Sequence, residues 1–287
     1  SDGSVVWEKD FKQDYGARTP HWGHSAHPLV EGDTLYCVVG GEGSLAVAFD
    51  KETGEEKWKS QNDREPGYCP PVMIEHTGQR QLLVWSPSHL HALRPDSGEL
   101  VWKLPVKPSY GMSIARPQMQ GDKLYVSAIG GVSVLAQLKP DGSDVDVLWD
   151  GGASDSMQAA NVTPIFTAGA IYGCDCMTSD FVALDPTDGK RLWATKRPTL
   201  GEGRGRHGTA FVLRLGDSDN YYLFNETGDL ISARLTPAGY EETGRMHVLE
   251  PTSSSFGRDV VWSCPALAEG CAFVRNDEEV VCVGLAK

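Results

Sequence analysis

The sequence predicts an all-β protein, a β-propeller of six four-stranded blades. Two observations lead to this prediction. A segment of several short strands separated by turns recurs along the chain, and in four copies it ends at Trp58, Trp102, Trp149 and Trp193, which are 44, 47 and 44 residues apart. In addition, the last copy is incomplete, and the chain begins with an isolated strand-like segment. A period of roughly 40 to 50 residues with several strands per unit is the sequence signature of a propeller blade.

The first copy, from Pro28 to Trp58, contains the elements of one blade. Gly32-Asp33 is a turn signal, and the run that follows, Leu35 to Val39, is rich in strand-forming residues. Thr53-Gly54 lies where a tight hairpin needs a residue that tolerates positive φ. These 31 residues are too few to bury a core alone, so the unit depends on its repetition.

Three further copies keep this pattern, and two more are degraded. The complete copies run from Pro71 to Trp102, from Pro117 to Trp149 and from Pro164 to Trp193. The fifth copy begins near Thr209 without a proline and has His247-Val248 near the expected tryptophan. The sixth begins at Pro265 and stops at Lys287, so it lacks its last strand and its tryptophan.

The strand missing from the sixth copy is expected at the other end of the chain. Ser4 to Glu8 has the pattern of a closing strand and includes Trp7. We therefore expect residues 4–10 to pair with the last blade, residues 260–287. Such a closed ring leaves no large sheet edge exposed. On this interpretation residues 1–287 form a single propeller domain.

Composition and charge argue against several classes of protein. The 39 acidic residues outnumber the 26 basic ones and give a net charge of −13. Because Lys and Arg also form no block, we expect no binding to nucleic acid. No apolar run approaches the roughly 18 residues of a membrane-spanning helix. Many of the acidic residues fall in the repeated turns, where we expect them to be solvated, and we expect a monomer.

Cysteines and histidines offer two alternative metal sites. The seven cysteines are Cys37, Cys69, Cys174, Cys176, Cys264, Cys271 and Cys282. Several of them occupy strand positions that are apolar in other copies, which favours buried free thiols. A metal or redox pair at Cys174 and Cys176 is the alternative, although no second pair accompanies it. His21, His24 and His27 are three residues apart, so neighbours point to opposite faces of a regular strand. We expect solvated channel histidines there, with zinc as the alternative, and we predict no metal site.

The segments that lead into each blade are expected to carry the function. The first strand of each propeller blade lines the central channel, so these entry segments converge on one mouth and form a concave site. They are Tyr15 to Pro28, Asp63 to Pro71, Pro108 to Pro117, Asp155 to Pro164, Gly201 to Phe211 and Ser253 to Pro265. The side chains that we expect to bind a ligand there are Arg18, His21, Trp22, His24, Tyr68, Tyr110, Gln158, Asn161, Arg204, Arg206, His207, Arg258 and Trp262.

The fifth entry segment is the most unusual stretch of the chain, because Gly201 to Gly208 combines four glycines with two arginines and a histidine. Its glycines do not match a dinucleotide-binding fingerprint, since strands and no helix are predicted beside them. Arg204 and Arg206 either hold a carboxylate or phosphate, or pair with Glu202 and other loop acids. The sequence contains no Gly-x-Ser-x-Gly motif, and we predict no catalytic residue.

The repeated motif resembles that of a known family. Gly-Asp-x-Leu-Tyr-Val, followed by Ala-Leu-Asp-x-x-Thr-Gly-x-x-x-Trp, is similar to the PQQ-like repeat of bacterial β-propellers. The motif is carried by Gly121 to Val126, Ala48 to Trp58, Ala92 to Trp102 and Ala183 to Trp193. In that family the tryptophan docks one blade onto its neighbour. The resemblance therefore implies that Trp58, Trp102, Trp149 and Trp193 are structural.

The resemblance implies two kinds of function. Some members are quinoprotein alcohol or glucose dehydrogenases that bind pyrroloquinoline quinone (PQQ) and calcium. Others, such as the outer-membrane assembly scaffold lipoprotein of Gram-negative bacteria, bind no cofactor and hold partner proteins with their loops. The dehydrogenases generally have eight blades and commonly carry two adjacent cysteines. This sequence has too few repeats for eight blades, and it contains no two adjacent cysteines. Asp155, Asn161, Asp259 and Trp262 are candidates for the calcium and base roles, but nothing in their spacing selects them.

We therefore predict a non-catalytic, periplasmic or secreted propeller that uses no cofactor and binds a protein, peptide or glycan at the channel mouth. The alternative is a dehydrogenase of alcohols or sugars that depends on PQQ and calcium, or another small-molecule enzyme using the same mouth. A third interpretation is that residues 1–287 are a domain cut from a larger protein.

Overall fold

The structure, a computed structural model, describes residues 2–285. Ser1, Ala286 and Lys287, which belong to the predicted domain 1–287, lie outside the described residues. The chain divides between Leu148 and Trp149 into two compact units, called unit 1 and unit 2 below. Within residues 2–285, no helix has the length and apolar character needed to cross a membrane.

Unit 1 is built from antiparallel strands and one short helix, α1, which is capped by Asp10 through the backbone N–H groups of Lys12 and Gln13. Its elements are α1 (Phe11–Tyr15), β1 (Leu29–Glu31), β2 (Thr34–Val38), β3 (Ala46–Asp50), β4 (Glu56–Ser60), β5 (Val72–His76), β6 (Gln79–Trp85), β7 (His89–Leu93), β8 (Leu100–Pro105), a 3-10 turn (Ser109–Gly111), β9 (Gln118–Gln120), β10 (Lys123–Ala128) and β11 (Val132–Leu138). Strand β12 (Val145–Asp150) spans the division between the units.

Unit 2 continues the same pattern of short antiparallel strands, again with one short helix. Its elements are α2 (Gly152–Asp155), β13 (Ile165–Phe166), β14 (Ile171–Cys174), β15 (Phe181–Leu184), β16 (Arg191–Thr195), β17 (Ala210–Arg214), β18 (Asn220–Asn225), β19 (Asp229–Thr236), β20 (Gly239–His247), β21 (Ser253–Ser255), β22 (Arg258–Val260), β23 (Ala266–Ala268), β24 (Cys271–Arg275) and β25 (Val280–Gly284).

The strands pair in sequence order, so each sheet is a meander. Among the described residues, five sheets have four strands, namely β1–β4, β5–β8, β9–β12, β13–β16 and β17–β20. Strands β21 and β22 form a separate pair, and β23–β25 form a three-stranded sheet. The all-β repeated meander that the sequence predicts is therefore confirmed. The three-stranded sheet coincides with the incomplete sixth copy.

The predicted pairing of residues 4–10 with the last blade stays a prediction, as does the number of six blades. No strand is assigned within residues 2–10. Trp7 nevertheless occupies a position typical of a closing tryptophan. Its indole N–H donates to the Lys51 carbonyl at 2.9 Å, and its ring covers Gly54 so closely that a Cβ there would lie 2.6 Å from it.

The same contact between a tryptophan and a turn recurs inside each unit. In unit 1, the Trp58 indole donates to the Pro95 carbonyl at 2.9 Å and covers Gly98, where φ is +73°. In unit 2, Trp149 makes the same contacts with Pro186 and Gly189. Glycine is required at these turns because φ is positive and the ring leaves no room for a Cβ. Trp58 thereby joins sheet β1–β4 to sheet β5–β8.

The core of each unit lies between neighbouring sheets. In unit 1, one apolar cluster joins β1–β4 to β5–β8 through Leu45 and Leu82, and another joins β5–β8 to β9–β12 through Leu90 and Leu124. In unit 2, the cluster around Phe224 joins β13–β16 to β17–β20. Each fully buried side chain of this size stabilises the fold by about 1.5–3 kcal/mol. These layers hold the loops at the sheet ends in place.

Candidate functional site

The topology of each sheet decides which loops are neighbours. In a four-stranded antiparallel meander, the segment entering the first strand and the hairpin joining the second and third strands lie at the same end. The entry segments predicted to carry the site are therefore accompanied by these hairpins. In unit 2 the relevant hairpins are residues 175–180, between β14 and β15, and residues 226–228, between β18 and β19.

Three segments of unit 2 meet at Glu226. The backbone N–H of Glu226 donates to the Thr209 carbonyl at 3.0 Å, which links the hairpin to the fifth entry segment. The N–H of Val261 donates to the Glu226 carbonyl at 2.7 Å, which links the hairpin to the sixth entry segment. Glu226 is thus the point at which the hairpin and both entry segments are joined.

The Glu226 carboxylate is saturated with donors. Arg258 donates from Nε to Oε1 at 2.5 Å and from Nη2 to Oε2 at 3.2 Å. Oε2 also accepts from the Trp262 indole N–H at 3.1 Å and from the backbone N–H of Thr209 at 3.0 Å. The Glu226 side chain is 1% exposed and that of Arg258 is 20% exposed. These hydrogen bonds fix the geometry around the buried ion pair, although Nη1 of Arg258 is buried without a hydrogen-bond partner among the described residues.

The hairpin 175–180 holds the fifth entry segment from the other side. The N–H of His207 donates to the Cys176 carbonyl at 2.7 Å, and the N–H of Gly208 donates to the Ser179 hydroxyl at 2.8 Å. A Cβ on Gly208 would lie 2.5 Å from the Ser179 Cβ, so this position needs glycine for close approach. The Ser179 hydroxyl donates in turn to the Gly205 carbonyl at 2.9 Å.

An aromatic surface lies over this network. Phe256 is 61% exposed, and its ring stacks on the His207 imidazole with centroids 4.8 Å apart and planes 9° from parallel. The Trp262 ring is 6.2 Å from the Phe256 ring, and the Arg206 guanidinium contacts the Met177 sulfur at 2.9 Å. We call these five side chains the Phe256 surface.

The backbone of the Phe256 surface is strained. His207 has a φ of +59° and Phe256 a φ of +52°, in the left-handed region that residues other than glycine rarely adopt. Such strain persists only where the surrounding contacts impose it, and it concentrates at functional sites. These two strained residues are the ones whose rings stack on each other beside the Glu226 network.

The electrostatics of the surface keep His207 neutral. Burial is the main cause of the lowered pKa of His207, and the nearby cations Arg206 and Arg258 lower it further, against a smaller opposing effect of Glu226. Near neutral pH the imidazole is therefore an uncharged ring suited to stacking. Arg206 supplies an exposed positive charge beside it. The surface can accordingly bind an apolar or aromatic group next to a negative one.

Four of the predicted binding residues, Arg206, His207, Arg258 and Trp262, are brought together in this way. Gln158 is buried and contributes its backbone, with its N–H donating to Asp175 at 3.0 Å.

The other predicted residues of unit 2 take no part in the surface. The Asn161 amide donates to the Thr209 hydroxyl at 3.1 Å, so it helps to hold the fifth entry segment without belonging to the Phe256 surface. Arg204 is exposed and lies outside the Phe256 surface.

The predicted residues of unit 1 are not gathered at one point. Trp22 is 52% exposed, and its ring contacts Tyr68 at 5.6 Å and His21 at 4.7 Å. Tyr68 itself is buried, and its hydroxyl accepts from the Trp22 backbone N–H at 3.4 Å. His24 lies against Phe11, at 5.9 Å.

Two predicted residues of unit 1 are exposed without belonging to this aromatic group. Arg18 is exposed, and Tyr110 is 76% exposed.

Glu226 is the residue that sequence reasoning missed. The function is expected in the entry segments, and the hairpin that contains Glu226 lies outside them. The meander topology points to this hairpin, because the hairpin between the second and third strands of each sheet lies at the same end as the segment that enters the sheet. A charged residue at the start of that hairpin, directly after the apolar strand β18 and with arginine and tryptophan in the adjacent segment, indicates a buried ion pair.

The alternative metal sites are not assembled among the residues that the structure describes. No group of three or more His, Cys, Asp or Glu side chains there is suited to hold a metal ion, and this includes the three histidines of the first entry segment. Cys174 and Cys176 are buried free thiols, and burial raises the pKa of each to about 12. Both are therefore protonated and unreactive near neutral pH.

Of the four candidates for the calcium and base roles, two form hydrogen bonds within the protein and two are exposed to solvent. The Trp262 indole is bonded to Glu226 and the Asn161 amide to Thr209. Asp155 and Asp259 are exposed. These residues do not fit a PQQ and calcium site, and the dehydrogenase alternative stays a prediction.

Comparison with known proteins gives a family and a fold. The sequence model of the family described as "Outer membrane protein assembly factor BamB" matches residues 1–195. A search of curated proteins finds no match.

Among solved structures, BamB from Moraxella catarrhalis is similar with a TM-score of 0.63 and 16% identity, over 91% of this chain and 72% of that one. Apo AztD from Citrobacter koseri gives a TM-score of 0.52 and 14% identity, over 88% and 65% of the two chains. A europium-containing methanol dehydrogenase gives 0.50 and 12%, over 80% and 52%. At these identities the likeness shows the fold alone, and it confirms the β-propeller class.

Proposed function

The chain belongs to the family described as outer membrane protein assembly factor BamB, and we propose on this premise that it is a non-catalytic binding protein of the bacterial envelope. It acts in the periplasm or is secreted, and its ligand is a segment of another protein. The Phe256 surface of unit 2 holds that segment. The observation that carries the proposal is the Glu226 network, which fixes an exposed aromatic ring above three loop segments.

A binding role suits the Glu226 carboxylate better than a catalytic one. A general base needs a free lone pair within reach of a substrate proton. Glu226 is buried, and its two oxygens already accept four hydrogen bonds from Arg258, Trp262 and Thr209. The carboxylate therefore acts as a structural anchor for the loops.

The composition of the Phe256 surface is that of a protein interface. Aromatic residues, methionine and arginine are enriched at such interfaces, and rigid aromatic anchors supply most of the binding energy. Phe256, Met177 and Arg206 are all exposed; Arg206 contacts Met177, and His207, which follows Arg206 in the sequence, stacks on Phe256. We propose that an apolar side chain of the partner packs on the Phe256 ring while a carboxylate of the partner pairs with Arg206.

The family description suggests the probe for a direct test. An outer-membrane β-barrel polypeptide, immobilised in its unfolded form, is exposed to the protein, and binding is followed by biolayer interferometry. Phe256→Ala is expected to weaken binding by about 30-fold or more, because a central aromatic anchor contributes at least about 2 kcal/mol. Phe273→Ala is the matched control, since Phe273 is a partly exposed phenylalanine on β24 of the same unit.

A second pair of variants tests the charged contact. Arg206→Gln is expected to weaken binding and to reduce its salt dependence, whereas Arg204→Gln, in the same loop, is expected to leave both nearly unchanged. Undiminished binding by Phe256→Ala, or equal effects of Arg206→Gln and Arg204→Gln, would contradict the assignment of the Phe256 surface. Failure of the unchanged protein to bind the polypeptide would reject this ligand class.

A further inference from the structure

Unit 1 contains a groove that the proposed function does not use. It lies between the start of the second entry segment (residues 63–65), the hairpin joining β6 and β7 (residues 86–88) and the segment of residues 107–111. The groove is open to solvent and has a volume of about 750 Å³. This volume is in the range of small-ligand sites, which runs from about 300 to 1,000 Å³.

One side of the groove is fixed by Asp63. Its carboxylate accepts hydrogen bonds from the hydroxyl groups of Ser86 and Ser88 and, at 3.2 Å, from the backbone N–H of Ser88. The Ser88 hydroxyl is also 2.8 Å from Nδ1 of His89. Burial acts to raise the pKa of Asp63, but the hydrogen bonds from Ser86 and Ser88 outweigh it, and the pKa is lowered. Its Oδ1 also accepts from the Arg64 N–H at 2.6 Å, so the Asp63 carboxylate is bonded within the protein and shapes this side of the groove.

The opposite side presents the ring of Tyr110. The ring is 76% exposed, and the Tyr110 backbone is in the left-handed region with φ +59° and ψ +17°. The segment around it is anchored, because the Ser109 N–H donates to the Ile129 carbonyl at 2.9 Å and the Ser113 N–H to the Gly111 carbonyl at 2.9 Å. Neither anchor requires the ring to face solvent. A strained backbone that holds an aromatic ring outward is typical of a ligand contact.

The polar groups of the groove are balanced in charge and in hydrogen-bonding role. Among its described lining residues, Glu65 is an acceptor and Arg64 and Lys107 are donors of opposite charge, and with Asp63 included the formal charges cancel. Tyr110 offers the one aromatic face among them. An anion or a cation would meet a like charge in this groove. A peptide would find neither several apolar pockets nor a strand edge among these residues.

Sugar rings match this combination. Each hydroxyl of a sugar both donates and accepts hydrogen bonds, so the Glu65 carboxylate and the cationic donors Arg64 and Lys107 can satisfy neighbouring hydroxyls together. The C–H groups on one face of a sugar ring form an apolar patch that stacks on an aromatic ring. We infer that the groove beside Tyr110 binds a short neutral oligosaccharide. This site is independent of the Phe256 surface and of the protein partner proposed for it.

The inference is tested on the full chain with an array of neutral oligosaccharides that includes tetrasaccharides of β-1,4-linked glucose, xylose and N-acetylglucosamine and of α-1,4-linked glucose. A bound member is then titrated by isothermal calorimetry. Tyr110→Ala is expected to weaken its binding by about ten-fold, the loss of one aromatic stacking contact, whereas Tyr110→Phe keeps the ring and most of the affinity. Phe273→Ala, which removes a partly exposed ring from strand β24 of unit 2, is the control and is expected to leave this binding unchanged.

The possible outcomes separate the inference from its competitors. Tyr110 is exposed, so Tyr110→Ala is expected to keep the circular dichroism spectrum and melting temperature of the unchanged protein. The inference is overturned if no member of the array binds, or if Tyr110→Ala binds as well as Tyr110→Phe. It is also overturned if a proline-rich peptide binds with dependence on Tyr110 while the oligosaccharides do not. Loss of protein binding at the Phe256 surface leaves these measurements unaffected.

Discussion

Replacing Glu226 by glutamine is the sharpest test of the network in unit 2. The substitution keeps the shape of the side chain and one carbonyl acceptor for Thr209 and Trp262. It places an amide N–H₂ group toward the donors of Arg258, which then has no counter-ion in a largely buried position. Breaking a buried ion pair by removing one partner costs about 3–5 kcal/mol. Because Arg258 is 20% exposed and water reaches it, we expect the lower end, about 3 kcal/mol.

Urea unfolding followed by circular dichroism measures this loss. For an m-value of about 3 kcal/mol/M, the midpoint is expected to fall by about 1 M. Glu202→Gln, in an exposed loop glutamate of the same unit, is the control and is expected to change stability by less than about 0.5 kcal/mol. Arg258→Met removes the other partner, and Met fills part of the same space without a charge.

The double variant Glu226→Gln/Arg258→Met decides whether the two residues act as a pair. If they do, its loss is smaller than the sum of the two single losses by at least about 1 kcal/mol. Additive losses, or a Glu226→Gln midpoint equal to that of Glu202→Gln, would refute the reasoning. In that case the carboxylate does not join the loop segments, and the Phe256 surface lacks the support ascribed to it.

Two further predictions concern the turn contact and pH. Trp58→Ala is expected to destabilise unit 1 by about 3–5 kcal/mol. Gly98→Ala is expected to lower the melting temperature more than Gly121→Ala does. Both glycines have positive φ, but only Gly98 lies under a tryptophan ring, so equal losses would contradict the packing role of Trp58. For His207, the pKa is lowered in the folded protein from an ordinary value of 6.5, so the unfolded chain binds more protons and stability falls as pH drops below about 6.5. Urea midpoints between pH 7.5 and 5 should fall less for His207→Gln than for the unchanged protein, and parallel curves would contradict this.

The repeat made the fold predictable from sequence. The Asp-x-x-Thr-Gly turns and their tryptophans require positive φ and close ring contact, and these are local demands that sequence expresses directly. The ends of the chain were harder. Residues 4–10 have the composition of a strand, but no strand is assigned to them. A strand forms only beside a pairing partner, and the composition of one segment does not identify that partner.

The site was predictable where topology alone decided it. Arg206, His207, Arg258 and Trp262 lie in entry segments, and the structure brings them together. Glu226 lies in a hairpin whose sequence resembles an ordinary turn, and its importance comes from contacts with residues 17 to 36 positions away. Tyr68 also lies in an entry segment, but its side chain is buried and contacts Trp22 of another entry segment, and sequence spacing carries no information about such contacts.

Trp7 has a consequence for how the start of the chain is held. No strand is assigned within residues 2–10, so no ladder of backbone hydrogen bonds attaches this segment to a sheet. The Trp7 side chain supplies an attachment instead, because its ring lies on Gly54 and its indole N–H donates to the Lys51 carbonyl. One side chain therefore fastens the amino-terminal segment to unit 1, and Trp7→Ala is expected to make that segment more susceptible to proteolysis.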